Sequence, residues 1–353
     1  MTKKLIRWGF MSLGALLVGC SNLPSLEGRS QTYAYTKEQV ADTYFAKALA
    51  PLEAKHGAGR SGIFPLIEAD DAFAARMMLA KHAQRSLDVQ YYIWQRDMTG
   101  TMLFEALHEA ADRGVRVRLL LDDNNTSNTD AVLAGLNGHE NIEVRLFNPF
   151  MLRKPRWWGF LTDFSRLNRR MHNKSMTADN SLSIIGGRNI GDEYFGATND
   201  VLFADLDVLS VGEAVRDVSA DFDKYWRSAS SYPLERVLTS GKALPLTRLR
   251  EHAEQIAASA GAQQYVESLR ESPFIAQLEQ GEVPFEWVNV RMVSDDPGKG
   301  LGKAEKESLL IQQLQDIIGD PQVDVELISP YFVPTQSGVE AFAWLVRQGV
   351  EVK

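Results

Sequence analysis

The sequence predicts an α/β protein with a largely parallel sheet covered by helices on both faces, and three observations predict it. From Leu66 onward, apolar strand-like runs alternate with stretches of helical periodicity, the pattern of strands joined by covering helices. The chain has 353 residues, 44% of them apolar and 24% charged, enough for a sizeable core and for two units rather than one. The third observation is a weak internal repeat. V-Q-Y-Y-I-W from Val89, a helix and R-G-V-R-V from Arg113 are echoed by I-S-P-Y-F-V-P from Ile328, a helix and Q-G-V-E-V from Gln348. Two βαβ halves related by duplication account for such an echo.

Along the chain, the first element is a leader. Lys3, Lys4 and Arg7 make a positive start, and the apolar run over 8–18 is too short to span a bilayer. It ends in Leu17-Val18-Gly19-Cys20, which resembles the lipobox of bacterial lipoproteins. That resemblance implies a signal peptide over 1–20 and a lipidated Cys20. The anchor would hold the protein on a bacterial membrane, facing the periplasm, with inner and outer membrane both open. Cys20 is the only cysteine, so the body has no internal disulfide. Residues 21–62 are mixed and polar and read as a tether, with a helix over 36–54. Asp70 is placed to cap a helix running to Gln84. Residues 87–93 read as a buried strand. Leu103, Leu107 and Ala110 recur at helical spacing, in a helix closed by Gly114. Residues 115–121 and 142–147 read as the next two strands.

The stretch that carries chemistry is R-R-M-H-N-K-S-M-T-A-D-N-S-L-S-I-I-G-G-R-N, from Arg169. It contains His172, Lys174 and Asp179, and Asn189 follows ten residues after the Asp. On a strand, residues two apart share a face, so His172 and Lys174 project together while Asn173 points away. Asp179-Asn180 reads as a turn and 181–185 as the returning strand. Gly186-Gly187 reads as backbone that lets a ligand approach closely, with Asn189 arriving beside the same site. A neutral imidazole can attack phosphorus. An ammonium, a carboxamide and a backbone N–H can hold the non-bridging oxygens as charge builds on them. This set suits displacement at a phosphodiester and needs no metal or cofactor.

Other signals are weaker. Residues 151–170 hold Arg153, Lys154, Arg156, Arg166, Arg169 and Arg170 among Trp157, Trp158 and Phe160. Cations with tryptophans just before His172 suit a phospholipid interface; they also suit single-stranded nucleic acid or an ordinary solvated loop, with the overall acidity and the lipid tether favouring a membrane. Asp122-Asp123-Asn124-Asn125 reads as a solvated loop rather than a cation site, and residues 294–303 as a mobile loop near phosphates. His56, His82, His108, His139 and His252 read as surface residues. The net charge of −8 argues against a general nucleic-acid binder.

The pattern H-x-K-x-x-x-x-D followed by G-G-x-N resembles the signature of the phospholipase D (HKD) superfamily. DVQYYIW at 88–94, RGVRVRLLLDD at 113–123, NIGDEYFG at 189–196 and SPYFVP at 329–334 are similar to its bacterial cardiolipin synthase branch, the C type above all. The resemblance runs from Gly62 to the last residue. It implies a phospholipase D-like fold, with a first half over 63–235 and a linker plus the beginning of a second half over 236–353. It implies two such motifs meeting at one cleft, one histidine forming a phosphohistidine and the other acting as general acid and base. His172 is then most simply the nucleophile. Lys174, Asn189 and the Gly187 N–H would bind phosphate, and Asp179 would support the motif's geometry. Many members carry Ser where this chain has Gly187, so a hydroxyl donor is lost and the backbone N–H is left to serve. Asp205 is the candidate carboxylate for orienting the second imidazole nitrogen. A second H-x-K-x-x-x-x-D is absent from the sequence, which predicts that the chain is C-terminally incomplete. Three functions compete. The first is transphosphatidylation between phospholipids, with phosphatidylglycerol or phosphatidylethanolamine as candidates, an accessory protein unspecified and no nucleic acid. The others are a single-motif nuclease acting as a homodimer and an inactive phospholipid-binding lipoprotein.

Overall fold

The computed structural model describes residues 23–126, 128–198, 203, 205–239, 241–327 and 336–353. Cys20, the leader over 1–20 and the SPYFVP block at 329–334 lie outside the described residues. Nine strands form the main sheet: β1 (Ser61–Leu66), β2 (Ser86–Ile93), β3 (Arg116–Asn125), β4 (Ile142–Phe147), β5 (Ser175–Ala178), β6 (Leu182–Gly186), β7 (Asp207–Gly212), β8 (Ser231–Pro233) and β9 (Glu286–Val288). Their order is β8-β4-β3-β2-β5-β6-β7-β1-β9. Only β2/β3 and β3/β4 pair in parallel, and every other pairing in this sheet is antiparallel. The sheet is therefore mixed rather than largely parallel. A helix carries the chain from β2 to β3 and so permits parallel pairing. A tight turn joins β5 to β6 and forces them antiparallel.

Strand alternation gives the sheet two unlike faces. Leu87, Val89 and Tyr91, with Val117, Leu119 and Leu121, join one large apolar cluster. The helices α1 (Tyr44–His56), α2 (Ala69–His82) and α3 (Met98–Asp112) belong to that side. Helix α2 begins one residue before Asp70, behind Glu68, so Asp70 sits in the first turn instead of capping. Helix α3 is capped by Asp97, whose side chain accepts Gly100 N–H at 3.0 Å, and Gly114 follows it at φ +91°.

The opposite face is polar. Asp88, Gln90, Arg118, Asp122 and Arg145 are all buried there, beneath a helix that we label α5 (Glu213–Trp226), after α4 (Trp157–Leu167). Arg118 donates two bonds of 2.7 Å to Asp88 and one of 2.7 Å to Asp223 of α5. Its guanidinium lies 4.8 Å from the Phe222 ring centroid. A buried charge survives only when its donors are matched in this way.

The same requirement corrects the expected tether. Carbonyls of Ser30, Thr32 and Tyr33 accept from Arg145, Arg118 and Arg116 at 2.8, 3.0 and 2.8 Å. Val40, Phe45 and Leu49 are buried in the core. Residues 23–60 are thus part of the body. Two helices, Lys37–Val40 and α1, stand where one was expected. Beyond residue 236 the chain also stays on this body: β9 pairs with β1, and Arg250 reaches Glu105 of α3 at 3.0 Å. His108 is buried beside Glu105 at 3.1 Å rather than exposed. Near the end, Asp324–Val325 and Glu351–Val352 pair in parallel around the helix Gln336–Arg347. That strand-helix-strand order matches β2-α3-β3.

Replacing Arg118 with Met should leave Asp88 and Asp223 buried without a counter-charge, lowering stability by about 3–5 kcal/mol. Urea unfolding measures this. An unchanged midpoint would show that the two carboxylates find other partners.

Candidate active site

The site is assembled on the polar face, where the β5–β6 hairpin meets the end of β2. The hairpin turns through Asp179 and Asn180, at φ +50° and +43°, the left-handed pair that matches strand twist in a two-residue turn. Asp179 is fully buried. Its carboxylate accepts from the backbone N–H of Gln84, Arg85 and Ser86 at 3.0, 2.7 and 3.0 Å. It therefore locks the hairpin to the start of β2 and does not face the cleft.

His172 and Lys174 precede β5 instead of lying in it. They nevertheless turn to the same side. The His172 ring packs on Tyr92, with centroids 4.1 Å apart, and Lys174 Nζ lies 5.8 Å from the Tyr92 centroid. Asn173, expected to point away, lines the same cleft and donates there to Asp221 of α5 at 3.1 Å. His172 Nδ1 stands 3.4 Å from the Arg170 carbonyl, while Lys174 Nζ donates to the His172 carbonyl at 2.7 Å. The cleft walls strip hydration from the imidazole, and with Lys174 they hold its pKa below the ordinary histidine value. Burial pulls Lys174 down to about 8, against the attraction of Asp205 and Asp207.

Asn189 accepts from Ile93 N–H at 3.0 Å through Oδ1, so it sits one residue from the stacked tyrosine. Its Nδ2 is buried and has no hydrogen-bond partner among the described residues. That leaves a donor for an oxyanion. Gly187 is different from expectation. Its N–H already donates to the Leu206 carbonyl at 3.1 Å, so it is not the phosphate donor. A Cβ there would collide with Asp205 Oδ1, and one at Gly186 with Asp207. The space a side chain would fill at either glycine is taken by a carboxylate of the protein itself, while Gly186 also lines the cleft at His172. Asp205 is corrected as well: His172 Nδ1 faces the Arg170 carbonyl, and Asp205 Oδ1 accepts Leu206 N–H at 2.8 Å.

Asp122 and Asp123 are buried, not solvated. Asp122 accepts Met171 N–H at 2.8 Å and pairs with Arg170 at 3.3 Å. Asp123 accepts Phe150 N–H at 2.7 Å and pairs with Arg153 and Arg156. Arg166 binds Asp163 and the Asn148 side chain. Most cations of the basic stretch thus serve the fold. Several apolar residues do not: on α4, Trp157, Trp158, Leu161 and Phe164 are 59%, 52%, 72% and 60% exposed, whereas Phe160 packs on Phe150.

Residues 294–303 are pinned across the site rather than loose. The Ser294 hydroxyl donates to Asp221, Tyr225 OH donates to the Asp295 carbonyl at 2.8 Å, and Pro297 and Gly300 are buried. Two clefts open at His172. One, of about 500 Å³, has Ile63, Ile185, Val208, Val218 and Met292 in its walls, with Lys174 and Lys299 at its edge. The other, of about 410 Å³, is lined by Asn168, Arg169, Arg170, Lys299 and Gly302. Sequence reasoning missed Tyr92 and Asp221, and it placed Asp295 and Lys299 only within a loop near phosphates. Alternation from the core residue Tyr91 would have pointed Tyr92 to the other face; Asp221 carries no sequence signal.

The family described as cardiolipin synthase, PLD-like domain, matches residues 77–226. Cardiolipin synthase C of Escherichia coli (strain K12) is 51% identical over 310 residues, 87% of this chain and 64% of that protein. Cardiolipin synthase of Geobacillus kaustophilus (strain HTA426) is 26% identical over 290 residues, 82% of this chain and 47% of that protein. The chain therefore spans 64% and 47% of the lengths of these two relatives. Among solved structures, phosphatidylserine synthase of Haemophilus influenzae Rd KW20 superposes with a TM-score of 0.49 at 14% identity, over 87% of this chain and 65% of that one.

The ammonium form of Lys174 is the form below its pKa, so anion affinity at this site should fall as pH rises through about 8. Carbon-labelled lysine followed by NMR should show a matching midpoint that disappears in Lys174→Met. A midpoint at the ordinary 10.5 would contradict the desolvation argument.

Proposed function

We propose a function from one premise: the chain belongs to the cardiolipin synthase, phospholipase D-like family. The reading is phosphatidyl transfer from one phospholipid to a hydroxyl of another, through a phosphohistidine on His172. One observation carries it. A histidine and a desolvated ammonium line one mostly apolar cleft of about 500 Å³, as a phosphodiester joined to hydrocarbon requires.

The tautomer follows from the neighbours. A carbonyl accepts only, so Nδ1 facing Arg170 O carries the proton and Nε2 keeps its lone pair. Nε2 bonds to phosphorus while the P–O bond to the departing alcohol breaks. The departing oxygen takes a proton from a general acid, the place that the resemblance gives to a second motif's histidine. In the second step the acceptor hydroxyl bonds to phosphorus, the P–N bond breaks, and the hydroxyl proton passes to that same group, now a base. Lys174 and the free Nδ2 of Asn189 stabilise the charge on the non-bridging oxygens. Phosphatidylglycerol is the substrate of choice for the test.

Membrane contact is part of this reading. Among the described residues no helix is long and apolar enough to cross a membrane. Helix α4 supports surface docking instead: Trp157, Trp158 and Leu161 are exposed before the kink at Asp163, and Phe164 is exposed just after it, an apolar surface of the kind interfacial helices present. A lipid on Cys20 would add a second attachment.

Incubation with radiolabelled phosphatidylglycerol should give acid-labile label on the protein. His172→Ala should lose both adduct and product, the product by about a thousandfold or more. Cardiolipin formed at the normal rate by the variant would end the nucleophile assignment. Separately, Leu161→Asp with Phe164→Asp should weaken sedimentation with anionic vesicles by about tenfold or more, with the circular dichroism spectrum unchanged. Equal binding by both proteins would remove α4 from the membrane contact.

A further inference from the structure

The cations of the 151–170 stretch are not equivalent. Arg153, Arg156, Arg166 and Arg170 are held by acids and carbonyls of their own fold. Arg169 is fixed at its main chain, where its N–H donates to Arg166 O at 3.0 Å and its carbonyl accepts from Asn148 Nδ2 at 2.6 Å. Its half-buried guanidinium has no acceptor among the described residues. It lies against Gly302, at φ +70°, where a Cβ would collide with it. The absence of a side chain at 302 is what makes room for the planar group.

Arg169 also faces chemistry. It lines the 410 Å³ cleft with His172 and Lys299. Lys299 borders both clefts and pairs with Asp295, whose other carboxylate oxygen accepts Leu310 N–H at 2.7 Å. Lys174 lines only the apolar cleft, and Arg169 lines only the second. The two clefts therefore offer two cationic subsites on a shared histidine. A rigid guanidinium fork without an acceptor suits a phosphate's paired oxygens.

Transfer between two phospholipids brings two phosphodiesters to one histidine. One phosphorus is attacked; the other belongs to the lipid that merely supplies the hydroxyl. We propose that Arg169, with Lys299, binds the phosphodiester of that accepting lipid. This inference rests on the phosphatidyl-transfer reading above. Arg169 takes no part in the bond changes. The acceptor oxygen bonds to phosphorus as the P–N bond to His172 breaks, and its proton goes to the base. Arg169 and Lys299 position the hydroxyl, and they select acceptors that carry an anion of their own over neutral alcohols.

Two measurements test this. The first is calorimetric titration with dihexanoylphosphatidylglycerol below its aggregation concentration. The wild-type protein should bind two equivalents, and Arg169→Gln with Lys299→Gln should bind the second about tenfold or more weakly. The second is a competition on one labelled donor between phosphatidylglycerol and ethanol as acceptors. The ratio of cardiolipin to phosphatidylethanol should fall about tenfold in the double variant, and Arg169→Lys should restore part of it. A double variant that still binds two equivalents at wild-type affinity would overturn the proposal, as would an unchanged product ratio. An unchanged ratio with both products reduced would assign Arg169 to the donor phosphate. If the wild-type protein made neither product, the transfer reading would fall, and the binding count would still decide whether a second anion subsite exists.

Discussion

Two consecutive carboxylates at the end of β3 hold the site in place. Successive strand residues point to opposite sides, so Asp122 and Asp123 can grip two different segments. Asp123 takes Phe150 N–H, Arg153 and Arg156. Asp122 takes Met171 N–H and Arg170. These are the two ends of the excursion that carries α4, so the excursion begins and ends at one point on the sheet. Burial of Asp122 pushes its pKa up to about 6, and the donors around it keep the charge tolerable. His172 follows directly after the gripped Met171.

The unlike faces of the sheet explain why chemistry sits where it does. The apolar face is covered by α2 and α3, and the polar groups buried there, Arg76, Asp207 and the Tyr91 hydroxyl, are spent on one another. The polar face must satisfy every charge it buries, and it does so with Arg118, Asp88, Asp223 and carbonyls of residues 30–33. Where that matching ends, at Tyr92, the remaining polar groups are His172, Lys174 and the unpartnered Nδ2 of Asn189. Helix α5 then links both sides of the site, since Asp221 takes Asn173 from below and Ser294 from above.

Local chemistry was legible in the sequence, and long-range partnership was not. Strand β4 has the bounds that its apolar run suggests, and the Asp179-Asn180 turn joins the two strands expected around it. Strand direction went astray because it depends on connections between distant segments, not on composition. Asp122 and Asp123 looked solvated because the arginines that bury them lie some thirty to fifty residues away. The N-terminal stretch looked like a tether because its contribution is made by carbonyls, which have no sequence signature. Gly187 was read as an opening toward a ligand, but the group pressed against it is Asp205. His172, Lys174 and Asn189 were recognisable because their chemistry is in their side chains. Arg169 and Lys299 were read in two separate basic segments, and only the fold puts them at the same cleft.

Residues 172–174 lie between two anchors: Met171 is held to Asp122, and Ser175 opens the ladder with Gln90. Asn173, midway along this span, is itself tied to Asp221 of α5. On the proposed reading, the imidazole follows a phosphorus centre as the P–N bond forms and breaks. With the backbone held on both sides and in the middle, that movement falls to the side chain of His172 and leaves the ladder untouched.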